Sequence, residues 1–339
     1  MRAGLVGLLG DDMGMRANFQ SFWEQHRDDP LPIGGEAAAT GTALDAVDPA
    51  RRAGLKTLTR RGGRVLVLKG KQLNYDHIEA LLERMQLEHE VLLKEAFMAD
   101  MERALAGTAV VLLNCNVFTG YCVCPTCKPG EDLGRGPTCG GCDKHDMSEG
   151  DQLSEAAVAR LKAFVEQGGA VFSEDYGMWE LVQPAWPTLL QPGTMLSEQE
   201  VDYALPPGAS GDPLLRGVFQ REGRTVTFAD RRWTIDALSP AIRILDESQV
   251  RVLLSSKTLG ATESAERALA VLLEPGRPTT GGGRPRTGAD AAPRGGMVLH
   301  VLSHFGKQTR EADEFALQNL LLNFVLEAQA RYARRAQAR

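Results

Sequence analysis

Nowhere in this sequence does an apolar run last long enough to span a bilayer. The apolar residues 5–9 form a short run without the cleavage region of a signal peptide, so neither export nor membrane insertion is expected. Charge of one sign is also scarce. Lys and Arg number 38 against 44 Asp and Glu, and the net charge of −6 excludes a general electrostatic attraction to nucleic acid or anionic lipid. The one basic run, residues 331–339, ends a predicted helix, where positive charge is favourable. No internal repeat is present, which sets aside solenoids and propellers. Cysteine is rare as well, but its six occurrences are not scattered, and five fall between Cys122 and Cys142.

Those five include two Cys-x-x-Cys pairs, Cys124/Cys127 and Cys139/Cys142. Such a turn points two sulfurs at one place, and two turns make a tetrahedral thiolate cage suited to zinc. Cys122 and His145 are spare candidates for one of the four places. An iron–sulfur cluster uses the same ligands and is the alternative. Pro125 and the glycines around the pairs favour tight zinc knuckles. A closed cage of four thiolates is structural in kind, since catalytic zinc keeps an open position. Clustered thiols without an export signal point to reduced, metal-bound cysteine and a cytoplasmic protein.

With 339 residues the chain can bury a full core. Residues 1–62, rich in Pro, Gly, Ala and Thr after a short Phe22/Trp23 segment, read as an arm or linker. From residue 63 to about 330 the pattern is that of one α/β domain. Residues 65–68, 91–93, 109–113 and 170–172 are apolar runs of the kind found in buried parallel strands. Between the first two, Ile78, Leu81, Leu82 and Met85 share a helical face, and residues 95–106 form a second helix. Ser154 is set to cap a helix whose stripe is Val158, Leu161, Phe164 and Val165, ended by Gly168 and Gly169. Further strands are expected at 225–228, 242–245, 250–255, 268–273 and 297–302, and a last helix carries Leu317, Leu320, Leu321 and Phe324. Two segments interrupt this order: the metal-binding insertion at 115–148, and 275–296, whose Gly, Pro, Arg and Thr predict a disordered surface loop. The expected architecture is a doubly wound, mostly parallel sheet.

In such sheets ligands bind beyond the carboxyl ends of the strands, where strand order reverses. The residues delivered there are Lys69 and Lys71, then Asn114, Cys115 and Asn116, then residues 173–177 (Ser-Glu-Asp-Tyr-Gly), then residues 303–307 (Ser-His-Phe-Gly-Lys). The predicted crevice is Asn114, Cys115, Glu174, Asp175 and His304. Glu174 and Asp175 could serve as a general acid/base pair or bind a cation, although neighbours on an extended segment point opposite ways. The plainer alternative has Asp175 bonding to backbone amides in a turn closed by Gly177. Cys115 reads as a small core residue or a nucleophile, and His300 as packing within its strand. Lys69 and Lys71 could hold an anion.

The order of elements resembles the class I glutamine amidotransferase-like superfamily. Residues 153–180 (LSEAAVARLKAFVEQGGAVFSEDYGMWE) are similar to a bacterial domain family of unknown function, in which a helix, a Gly-Gly turn and a strand lead into Asp-Tyr-Gly. Leu205-Pro206-Pro207 with Asp212-Pro213-Leu214 is similar to a second segment of that family. The resemblance implies a flavodoxin-like or amidotransferase-like sheet. Amidotransferases carry a cysteine in a Gly-x-Cys-x-Gly elbow, and here Asp175 takes that place, so a glutaminase thioester is not available. His304 matches the histidine but is followed by Phe-Gly-Lys rather than Pro-Glu.

The leading expectation is therefore a non-catalytic binding or assembly module with a structural zinc. A protein partner would use Met178, Trp179 and Trp186 as exposed anchors. The alternatives are a hydrolase whose Asp175–His304 pair activates water, and an iron–sulfur or redox protein. The cytoplasm is the expected location, with the periphery of the inner membrane as alternative, attachment then needing a partner or a further segment.

Overall fold

A computed structural model describes residues 62–70, 76–84, 87–115, 152–206, 209–215, 218–221, 224–225, 231–260, 266–275, 295–306, 308 and 311–337. Several sequence expectations fall outside these residues: the N-terminal arm, most of the Gly/Pro-rich loop, and Lys71 and Asn116. The same is true of every ligand expected for the thiolate cage, namely Cys124, Cys127, Cys139 and Cys142, and of the spare candidates Cys122 and His145.

The chain enters the sheet at β1 (Arg64–Lys69), passes through α1 (Ile78–Arg84), β2 (Glu90–Leu93), α2 (Lys94–Ala99) and α3 (Met101–Leu105), and reaches β3 (Thr108–Leu113). After the cysteine-rich segment come α4 (Glu155–Glu166) and β4 (Ala170–Glu174). Then follow β5 (Leu190–Met195), β6 (Gln199–Asp202), the short β7 (Gln220–Arg221) and β8 (Arg224–Thr225), β9 (Arg232–Ile235), β10 (Pro240–Ile244), β11 (Val250–Ser255), β12 (Ala268–Leu273) and β13 (Met297–Val301). The described chain closes with α5 (Glu311–Gln337).

The main sheet has nine strands and is mixed. Its order β2-β1-β3-β4-β13 is parallel throughout, and β12, β10 and β5 continue it antiparallel, with β11 also paired to β12. β3, β4, β12 and β13 are buried along their whole length, as continuous apolar runs require. The strand order reverses between β1 and β3, because the chain steps outward to β2 and then jumps back over β1. That is the position where an open α/β sheet leaves a crevice. The β6–β9 pair and the β7–β8 hairpin stand apart from the sheet.

Local sequence explains the helix ends. Ser154 accepts a hydrogen bond from the Ala157 amide and caps α4. Its C-terminus is a Schellman turn: Gly169 N–H donates to Phe164 O, Gly168 N–H donates to Val165 O, and Gly168 has φ +99°. The helix predicted over 95–106 is broken in two at Asp100, whose non-helical backbone (φ −151°, ψ 69°) and side-chain bond to the Arg103 amide start α3 afresh. α5 is about 40 Å long, at roughly 1.5 Å per residue. Phe324 from this helix and Phe305 both pack on Phe172 of β4, at ring-centroid distances of 6.3 and 5.9 Å. Of the basic run, Arg331 and Arg334 lie within this helix and pair with Glu327. No helix among the described residues is long and apolar enough to cross a membrane.

One expectation fails outright. Met178, Trp179 and Trp186 are buried, so they cannot serve as exposed anchors. The chain leaving β4 turns back under the sheet through a π-helical turn (Met178–Val182), and all five of its side chains face inward.

Candidate functional site

The sharpest backbone feature is at Asp175, the first residue past β4. Its φ is +39°, a left-handed conformation uncommon for a residue with a side chain. The strand therefore stops abruptly and the chain reverses into the turn that begins at Met178. Two residues on either side make this possible. A Cβ placed on Gly177 would lie 2.2 Å from Ser173 Oγ, so only glycine allows the two arms of the bend to close. The Asp175 amide donates to Val301 O at 2.8 Å, tying the bend to β13. The strand thus gives way, through one left-handed residue, to a π-helical turn, with a buried carboxylate at the bend.

His304 meets that tip. Its Nε2 is 2.7 Å from Asp175 Oδ2, and its Nδ1 is 2.8 Å from Asp76 Oδ2. All three side chains are buried, with Asp175 and His304 each 2% exposed. The His304 loop is fixed by Gln308, whose Nε2 donates to Ser303 Oγ and His304 O and whose Oε1 accepts from the Thr234 amide. Gly306, at φ +74°, closes that loop and donates its amide to Glu314 Oε2 at 2.9 Å. Asp236 Oδ2 lies 4.0 Å from His304 Nε2 and adds a third carboxylate.

The electrostatics follow from this enclosure. Burial by itself would lower the basicity of His304, but the carboxylates of Asp76 and Asp175 outweigh it and raise the imidazole well above its usual range. Burial, and then the neighbouring Asp76, push the Glu174 carboxyl well up. As two ionised carboxylates, Asp76 and Glu174 would have no donor between them. A proton on Glu174 turns their contact into a hydrogen bond. Burial likewise keeps the Cys115 thiol protonated well above its usual range. Glu314 is pushed up to about 8, first by burial. His300 is driven down to about 3 by burial and stays neutral, its Nδ1 3.2 Å from Ser173 Oγ.

Four adjacent strands thus deliver one group each: Asp76 beyond β1, Cys115 beyond β3, Asp175 beyond β4 and His304 beyond β13. Glu174 faces the same cluster. The expected opposite orientation of Glu174 and Asp175 does not hold, because the left-handed residue between strand and turn breaks the alternation that separates neighbours on a straight strand. Asp175 does not spend its side chain on turn amides. Oδ2 is held by His304, and Oδ1 is buried without a hydrogen-bond partner among the described residues.

The metal-capable group found here differs from the expected one. The cage of Cys124, Cys127, Cys139 and Cys142 falls outside the described residues. Within them, one donor atom each of Asp76, Cys115 and His304 lie within 4.8 Å of one another.

Two other expected residues are committed elsewhere. Asn114 Oδ1 accepts from the Ile78 amide at the start of α1, and its Nδ2 donates to Glu79 Oε2. Lys69 donates to Glu79 Oε1 at 2.8 Å and is an ion-pair partner rather than an anion ligand. These bonds, with that of His77, outweigh burial and hold the Glu79 carboxyl down at about 2. Asp76, Asp236, Gln308 and Glu314 did not stand out in sequence. Asp76 carried one usable signal, a carboxylate directly before a helix at the strand where the order reverses.

Beside the site Cys115 packs with Tyr176 and Trp179, whose rings lie 5.2 Å apart. A little further on, Lys94 is wholly buried against Glu180, with Nζ 2.7 Å from both carboxylate oxygens. Glu180 also accepts from the Leu153 amide, so it anchors the chain where it returns from the cysteine-rich segment.

The sequence matches no protein-family model and no curated protein. Among solved structures, a glutamine amidotransferase from Methylobacillus flagellatus aligns over 80% of this chain and 94% of its own, at 10% identity and a TM-score of 0.36. An exo-β-1,4-mannosidase from Opitutaceae bacterium strain TAV5 aligns over 80% of this chain at 10% identity and a TM-score of 0.34. A GH42 β-galactosidase from G. stearothermophilus aligns over 70% at 11% identity and a TM-score of 0.32. The chain spans only 36% and 27% of the length of these two glycosidases.

Proposed function

We propose that the protein is a hydrolase acting through the hydrogen-bonded row Asp175–His304–Asp76. The observation that carries this reading is the left-handed bend that presents Asp175 to His304. Strain of this sort is kept where the surrounding fold enforces it, and it gathers at working sites. Asp175 Oδ1 would accept a proton from water as the water oxygen adds to the carbonyl or phosphoryl centre of an ester, amide or phosphoester, and would return that proton to the leaving oxygen or nitrogen as its bond to that centre breaks. His304, held from behind by Asp76, would fix Oδ2 and so aim Oδ1 at the water. The scaffold on this proposal is an amidotransferase-like one whose cysteine nucleophile has given way to a carboxylate, so glutaminase chemistry forms no part of it.

The test is turnover of chromogenic ester, amide and phosphoester substrates by the purified chain, compared with Asp175→Asn. Loss of activity in a folded variant supports the proposal. Absence of turnover for every class, with no change on substitution, ends it.

A second reading is a non-catalytic binding or assembly module, and the enclosure of the cluster favours it. Both nitrogens of His304 already have carboxylate partners, as in a built-in structural network. On this reading Cys124, Cys127, Cys139 and Cys142 hold a structural zinc, or failing that an iron–sulfur cluster, and the segment carrying them is the docking surface for a protein partner. A pulldown comparing the native chain with Cys139→Ser separates the two readings. Loss of a captured partner, together with no hydrolysis, selects the module.

A further inference from the structure

The carboxyl groups at the strand ends outnumber the cations available to them. Asp76 and Asp175 share His304 as their one ion-pair partner among the described residues, and Glu174 makes no ion pair there. Asp175 Oδ1 is buried and receives no hydrogen bond from a described residue, and the buried Glu174 carboxyl faces that of Asp76 with one proton between them. Excess buried negative charge is costly unless a cation or a proton meets it. Beside Asp76 and His304 the cluster also supplies a sulfur, from Cys115, with one donor atom of each residue within 4.8 Å of the others.

From this juxtaposition we infer a mononuclear divalent-metal site, best suited to zinc, with Asp76, Cys115 and His304 Nδ1 as its three protein ligands. One oxygen, one nitrogen and one sulfur are donors that zinc accepts together, whereas magnesium and calcium take oxygen alone. The ion replaces the proton between His304 Nδ1 and Asp76, and a second proton leaves Cys115 as its sulfur binds. Asp175 stays on His304 Nε2, so it orients the ligand ring from outside the coordination sphere. Ligands around zinc at roughly 2.0–2.3 Å stand about 3.3–3.8 Å apart, so His304 Nδ1 and Asp76 Oδ2, now 2.8 Å apart, would separate by up to about 1 Å, and the Cys115 sulfur, within 4.8 Å of them, would close by about 1 Å. Three protein ligands leave a fourth place for water. The site is separate from the thiolate cage expected of the Cys-x-x-Cys pairs. It extends the hydrolase reading without depending on it.

The test is cadmium-113 NMR of the intact chain after metal removal and loading with cadmium. The expected result is a resonance in the range of sites with a single sulfur ligand, whatever the cysteine pairs contribute at the range for several thiolates. Cys115→Ser should abolish that resonance alone, and Asp76→Asn should weaken loading at least tenfold. Absence of any single-sulfur resonance from the native chain overturns the inference, and that spectrum decides the matter even where a variant does not fold. Cadmium bound as described without hydrolysis upholds the site and ends the hydrolase reading. Hydrolysis by metal-free protein that shows no single-sulfur resonance does the reverse.

Discussion

The Nε2 atom of His304 stands 2.7 Å from Oδ2 of Asp175, although 129 positions separate the two residues in the chain. This contact exists because β4 and β13 are parallel neighbours, with Val301 opposite Glu174, so both strands end at the same level. If the pair performs hydrolysis, Asp175→Asn should lower turnover by about 10²–10⁴-fold, the usual contribution of one acid–base group. Asparagine tolerates the left-handed backbone, so the circular dichroism spectrum should remain that of the native chain.

The bend itself can be tested by size. Gly177→Ala places a methyl group 2.2 Å from Ser173 Oγ and should destabilise by about 1–3 kcal/mol in a denaturant titration. Ser173→Ala alone loses the contact with His300 Nδ1, which is worth about 1 kcal/mol. The double variant should be more stable than the sum of the single effects predicts, because the clash is with the hydroxyl that it removes. Strict additivity would show that the two positions do not meet.

Glu314 makes stability depend on pH, and the sign is fixed. Its carboxyl is held near 8 in the folded protein, against an ordinary value of 4.5. Between those values the folded state keeps a proton that the unfolded state releases, so stability falls as pH rises from about 4.5 to 8. The slope from this group is about 1.4 kcal/mol per pH unit. Glu314→Gln should therefore be more stable than the native chain at pH 8, by a few kcal/mol, and should lose most of that advantage at pH 5. Thermal melts at the two pH values measure the difference.

Lys94 and Glu180 form a buried ion pair, and losing one member strands the other. Lys94→Met should cost about 3–5 kcal/mol, since Glu180 remains charged or must take up a proton inside the core. Lys94→Met with Glu180→Leu should recover much of that loss, although the Leu153 amide then lacks its acceptor. Equilibrium unfolding of the three variants measures it.

Metal removal bears on the cysteine pairs. Elemental analysis of the native chain and of Cys139→Ser should differ by about one zinc per chain, and chelation should lower the melting temperature of the native chain. An iron–sulfur cluster would instead bring visible absorbance, which a colourless preparation excludes.

The parallel half of the sheet was legible because its strands are buried on both faces. Runs such as Val65-Leu66-Val67-Leu68 and Ala109-Val110-Val111-Leu112-Leu113 allow little else. β5 and β6 were not legible: β5 contains Pro192 and Gly193, and β6 is four residues long with polar ends. β9, four residues with Arg and Thr between its apolar pair, was equally silent. Of the site, the meeting of Asp175 with His304 could be anticipated, since both follow apolar runs expected to be parallel. Asp76 was missed, because it lies one loop beyond its strand and its one signal, a carboxylate just before a helix, is shared by many plain helix starts. The facing of Glu174 was misread for a related reason. Pattern rules assume a straight strand, and one residue at φ +39° ends that assumption.

The stretch that carries the cysteine pairs is fastened at both of its margins. Cys115, its near margin, sits within the carboxylate cluster, and Leu153, its far margin, hangs by its amide from the buried Glu180. Because the fold itself holds both margins in place, the entropy of closing the chain between them is lost once, when the sheet forms, whatever that stretch then binds.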